Sequence, residues 1–100
     1  MGNIRDNQYS NLINKLRSYE QKGIGFNGEG SCYAGNYVFS VTTFFIPLKS
    51  IPSSIQLTNI EYTNCQNLAV VKKNKFGFVT RAQAINSGAA YCNFDWEVVF

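Results

Sequence analysis

Histidine is absent from the 100 residues, which include one tryptophan, one methionine, two prolines and three cysteines. Without histidine, neither a Ser-His nor a Cys-His nucleophile pair can be assembled. A zinc site on the cysteines would need a fourth ligand, and no Cys-x-x-Cys pair begins one, so no metal or cofactor is expected. An odd cysteine count with no secretory signal argues against a disulfide framework, and Cys32, Cys65 and Cys92 are expected to be small buried hydrophobes. Charge is scarce as well. Nine Lys or Arg against six Asp or Glu leave +3, spread over both halves. That falls short of the clustered basic face that nucleic acid requires, so no nucleic-acid partner is expected. No apolar run approaches the roughly 18 residues of a membrane span. The start "MGNIRDNQYS" lacks the apolar stretch of a secretory signal, which predicts a soluble chain made in a cytoplasm.

What is present is aromatic and β-branched. Fifteen aromatic residues are enough for a core in one domain of this length. One segment reads as helix: "DNQYSNLINKLRSYEQKG" spaces Tyr9, Leu12, Leu16 and Tyr19 by three, four and three, with Asp6 or Asn7 as N-cap and Gly23 as the stop. That stripe would face either the domain's own sheet or the seam of a coiled-coil stalk, in which case these four residues form an oligomer interface. "GIGFNGEGSCYAGN" reads as a glycine-rich loop, and everything beyond it as strand. "NYVFSVTTFFI" (36–46) is apolar on both parities, and "SIQLTNIEY" (54–62) shifts phase at Asn59, the mark of a bulge. Residues 67–84 read as a hairpin with its tip at Lys73–Asn74. "YCNFDWEVVF" alternates cleanly, with Cys92, Phe94, Trp96, Val98 and Phe100 on one face. Pro47 and Pro52 cannot sit inside a paired strand, so 47–53 is predicted to carry the chain from one sheet to another. Five strands at spacings near ten residues predict a mainly β fold: an antiparallel sandwich, jelly-roll or lectin-like, preceded by one short helix.

Antiparallel order sorts the loops into two ends. One gathers Lys49, Lys72, Lys73 and Lys75, either a solvated turn or an anion site. The other gathers Tyr33, Asn36, Asn64, Gln66, Asn67, Asn86, Ser87 and Tyr91, together with all three cysteines. Amides and hydroxyls satisfy sugar hydroxyls in both directions and tyrosine adds a flat apolar face, so Tyr33, Asn36, Asn64, Gln66, Asn86 and Tyr91 are the candidate ligand-binding residues. Asp95 and Glu97 share a strand face and could be drawn as a glycosidase pair. Alternating charge on a strand is ordinarily solvent-facing, and no catalysis is expected.

The order "YVFSVTTFFIPLKSIPSSIQLTNI", "NKFGFVTR", "YCNFDWEVVF" resembles the C-terminal β-sandwich modules at the tips of phage tail fibres and other minor tail proteins. The resemblance covers roughly residues 33–100, and "IPLKSIPSSIQLT" is its most motif-like part. It implies a virion protein that attaches to a host cell, in trimers with a helical or fibrous stem, some members being lectin-like. The organisation expected on that basis is a stem or oligomerisation segment at 1–23 and a sandwich head at 24–100. The function expected is non-catalytic attachment to a host surface glycan, with other tail proteins as further partners. The alternative is a structural tail, baseplate or capsid-decoration protein with no receptor contact.

Overall fold

Among the described residues six strands form: β1 (Lys22–Cys32), β2 (Tyr37–Thr43), β3 (Ser54–Thr63), β4 (Cys65–Lys73), β5 (Gly77–Ala84) and β6 (Gly88–Val99). The computed structural model describes residues 10–12 and 21–100. Two antiparallel sheets stack as a β-sandwich: a front sheet in the order β1-β6-β3 and a back sheet in the order β2-β5-β4. Every connection but the β4–β5 hairpin crosses between sheets. The chain is therefore a long hairpin rolled up on itself, with β1 returning against β6 and β2 against β5, which is the jelly-roll wrap. Residues 10–12 are helical and Leu12 is half-exposed. Tyr9, Leu16 and Tyr19 of the expected seam lie outside the described residues.

The glycine-rich segment is strand and not loop, and Gly23, expected to stop a helix, lies inside β1. The physical reason is that aromatic rings of β6 cover the β1 backbone. A Cβ on Gly23 would lie 3.0 Å from the Trp96 ring, and one on Gly25 would overlap the Phe94 ring. Glycine is there to make room, so its turn propensity is overridden. The count is accordingly six strands and not five.

The proline segment does cross between sheets. Residues 44–53 leave β2 in the back sheet and enter β3 in the front one. Phe44, Leu48 and Pro52 are buried on the way, so the crossing plugs one end of the core. Gln21 locks the entry of the chain to that plug: its side chain donates to Ile46 O at 2.7 Å and accepts from Phe45 N at 2.9 Å, and its carbonyl accepts from Val98 N at 3.0 Å. The phase shift at Asn59 is a bulge, with Asn59 at φ 50° between the paired residues Thr58 and Glu61. In β6, Cys92, Phe94, Trp96 and Val98 are buried as the alternation required, whereas Phe100 lies beyond the strand and is exposed.

The core is graded along the strands. Near the plug it is aromatic, with Phe44, Phe78, Phe94 and Trp96 packed ring against ring at centroid distances of 5.6–6.5 Å. At the other end it is built from Cys65, Ala82, Ala84, Ala90 and Cys92, small side chains that let the two sheets draw together.

Candidate functional site

The strands sort the chemistry into two ends, as antiparallel order requires. The end holding the plug and the 74–76 turn carries Lys49, Lys72, Lys73 and Lys75, and β1 also begins there. Next to this turn is a depression of about 120 Å³, lined by Val41, Thr43, Phe76, Phe78, Val79 and the Lys72 and Lys73 side chains. The opposite, distal end is formed by residues 33–36, Asn64 and residues 85–87.

Backbone bonding draws the distal loops into one cluster. Tyr33–Asn36 is a tight turn, Asn36 N donating to Tyr33 O at 3.1 Å with Gly35 at φ 83°. That turn docks on its neighbour: Gly35 N donates to Ala84 O at 2.8 Å, Ala34 N to Ser87 Oγ at 3.3 Å, and Gln83 Nε2 to Gly35 O at 3.0 Å. Asn64 carries the chain from β3 to β4 as a single residue at φ 57°. Its Nδ2 donates to Asn86 O at 2.8 Å and Ala89 O at 3.1 Å, while its Oδ1 accepts from Asn86 N at 2.9 Å.

These bonds divide the six sequence-predicted residues. Both ends of the Asn64 amide are engaged with backbone, so this side chain staples the 85–89 segment, with both Nδ2 hydrogens used and one Oδ1 lone pair remaining. Asn59, Asn64 and Asn67 all have positive φ, the left-handed region that asparagine tolerates better than other non-glycine residues. Much of the asparagine content of 59–67 therefore has a backbone cause. Tyr33, at 77% exposure, stands on the distal turn beside exposed Asn36, and Asn86 stands on the adjoining loop. Gln66 lies opposite Gln83 in the back sheet, at the distal end of β4. Tyr91 is set apart from the turns, on the outer face of the front sheet, where its ring stacks on Phe26 at 6.3 Å.

One neighbour was not among the sequence candidates. Tyr37 opens β2 directly after Asn36, pairs with Gln83, and holds the Arg81 guanidinium over its ring at 4.8 Å. The sequence does not single it out, because 36–46 is apolar on both parities; only the packing shows Val38 buried and Tyr37 and Phe39 outward. No charged residue occurs in 33–36, 64 or 85–87, so hydrogen-bonding groups and aromatic rings are the chemistry this surface displays.

The cysteines gather at this end as expected. Cys65 and Cys92 are buried and Cys32 is half-buried, all as free thiols. Cys65 Sγ donates to Tyr91 O at 3.1 Å. Burial, with Cys65 alongside, pushes the Cys92 thiol from 9.0 up to about 12, which makes it a packing group and not a nucleophile. Among the described residues, no group of three His, Cys, Asp or Glu side chains is placed to hold a metal ion, and no helix is long and apolar enough to cross a membrane.

No family model, curated protein or solved structure matches the chain.

Proposed function

We propose that this chain is the head of a phage tail-fibre or tail-tip protein, a virion component that attaches without catalysis to a host cell-surface glycan through its distal loops. The observation that carries the reading is the opposition of entry and site. The chain enters the sandwich at Lys22 beside the plug, and β1 runs its 11 residues, about 35 Å at the rise of a strand, to the distal turn. Whatever precedes the sandwich is attached at one end, and Tyr33, Asn36 and Asn86 are presented at the other. That is the arrangement an attachment head needs. The ligand is a neutral sugar: the loops are uncharged, and tyrosine with free amides suits a pyranose face and its hydroxyls.

The test is binding to a glycan array and to a panel of bacterial cells. Tyr33→Ala is expected to lower binding ~10-fold, the ~1.4 kcal/mol of one aromatic contact. Lys73→Ala and added salt should change little, since exposed charge takes no part. Release by salt, or loss of attachment on Lys73→Ala, would move the site to the lysine end. The exposed apolar residues on both sheet faces favour a second reading, a structural tail, baseplate or decoration protein. It becomes the better one if no distal substitution alters attachment.

A further inference from the structure

The two sheets carry opposite charge. Glu29, Glu61, Asp95 and Glu97 all fall in the front sheet, against one lysine, Lys22. The back sheet holds Lys72, Lys73 and Arg81 and no acid at all. A chain whose charge is evenly spread along the sequence thus becomes a sandwich with a negative front and a positive back, because the rolled-up pairing order sends 61, 95 and 97 to one layer and 72, 73 and 81 to the other.

Each outer face also carries an apolar stripe at the same side. On the front it is Ile24 and Phe26 of β1, and on the back Phe39 and Val41 of β2; Ile24 is 81% and Val41 72% exposed. The sandwich superposes β1 on β2, since Asn27 Nδ2 bonds Val38 O at 3.1 Å and Gly28 N bonds Ser40 Oγ at 3.4 Å. Patches of this kind on both faces mark interaction surfaces.

We infer that the partner of each face is the opposite face of a second copy of this chain, front on back. The registers support it in detail. Asn27 pairs with Cys92 in the front sheet, and its amide reaches Val38 and Thr80 in the back sheet, so Cys92 is level with residues 80–82 of β5. Counting along the ladders puts Phe26, Asn93 and Glu61 of the front within about two residues of the level of Phe39 and Arg81 of the back. It likewise puts Ile24 and Asp95 at the level of Val41, Val79 and Lys72. A second copy displaced along the sheet normal by two spacings of packed sheets, ~20 Å, so that its back sheet lies ~10 Å above the first copy's front sheet, sets Phe39 by Phe26 and Val41 by Ile24. The same displacement brings Arg81 to Glu61 and Lys72 to Asp95. Front on front and back on back would oppose like charges, so the contact is heterologous and each copy keeps one unused face for the next. The contact does not involve the distal loops and is independent of any ligand they take.

The test is a charge-swap pair measured by sedimentation and mass photometry on the full chain. Variant one reverses the back, Arg81→Glu with Lys72→Glu; variant two reverses their facing partners on the front, Glu61→Lys with Asp95→Lys. All four residues are surface positions, and an unchanged melting profile for each variant shows that the fold is kept. The wild type is expected to associate, and more weakly as salt is raised. Each variant alone has two faces of one sign and should associate about tenfold or more weakly. Mixed together they should recover association in equal proportion, because the negative back of one meets the positive front of the other. A wild type that stays monomeric, variants with wild-type mass, or a mixture that fails to recover would each overturn the inference. An anionic glycan or nucleic acid on the back sheet predicts the last of these, with variant one alone losing that ligand.

Discussion

Asn27 offers the sharpest test of how the sandwich is held together. Its side chain is 1% exposed and is the polar bridge between the open edges of the two sheets. Nδ2 lies 3.1 Å from Val38 O, 3.2 Å from Thr80 O and 3.0 Å from Thr80 Oγ1, all acceptors, and this fixes which end of the amide faces them. Asn27→Ala removes both amide hydrogens, while Val38 O and Thr80 O keep their places in the β2–β5 ladder opposite Ala82 and Ser40, so the loss is that of the buried amide bonds themselves, about 0.5–1.5 kcal/mol each. Part of that is returned, because Asn27 Oδ1 is buried without a partner and its desolvation cost disappears with it. The net expectation is about 1–2 kcal/mol, a measurable share of the ~5–15 kcal/mol of a typical domain. Urea denaturation of the wild type, Asn27→Ala, Thr80→Val and the double variant measures it, with the coupling energy isolating the amide–hydroxyl part. A single variant within about 0.5 kcal/mol of wild type would mean that the sheets are joined by apolar packing alone and that the bridge is incidental.

Two further outcomes follow from the same packing. Gly25→Ala should destabilise by about 1–3 kcal/mol, since its Cβ meets the buried Phe94 ring, whereas Gly30→Ala, which meets nothing, should be close to neutral; equal melting temperatures for the two would contradict the ring-covered strand. Cys92 is 0% exposed and its thiol is held protonated in the fold up to about pH 12, while the unfolded chain ionises from about pH 9. Stability is therefore unaffected by this group below about pH 9 and falls above it by no more than about 1.4 kcal/mol per pH unit, so urea midpoints of wild type should drop more steeply between about pH 9 and about pH 11 than those of Cys92→Ala.

How much of this the sequence disclosed depended on whether a residue's reason was local. Proline lacks a backbone donor wherever it stands, so the crossing at 47–53 was legible, whereas its start at Phe44, inside the run read as strand, was not. The bulge at Asn59 was legible because a period-two pattern cannot change phase without an extra residue. β1 was not, because its glycines answer to Phe94, Trp96 and Tyr91, which lie some 70 residues away in the sequence and are brought over it only by pairing with β6. The structural role of Asn64 was hidden for another reason. The residue that tolerates positive φ is also the one whose amide suits a sugar, and composition alone does not separate the two uses. The opposed faces needed the pairing order itself, since charges at 61, 72, 81, 95 and 97 show no pattern until β3, β6 and β1 are known to share a layer.

The proposed stacking and the proposed attachment would use different parts of the molecule, and geometry joins them. Copies related by displacement along the sheet normal keep their strands side by side, so every distal turn points the same way and every Lys22 entry the other. An uncharged loop surface with few free amides is a weak sugar site by itself, and several held in parallel raise the apparent affinity ~10²–10⁴-fold without a new contact. This gives the two proposals separable signatures. Reversing Arg81 and Lys72 should weaken capture by a cell, where many sites act together, and leave the affinity for one soluble oligosaccharide unchanged. Truncating Tyr33 should lower both equally and leave the assembly mass alone. If reversal of the back sheet lowered the single-site affinity as well, the cations would belong to the ligand and not to a neighbouring copy.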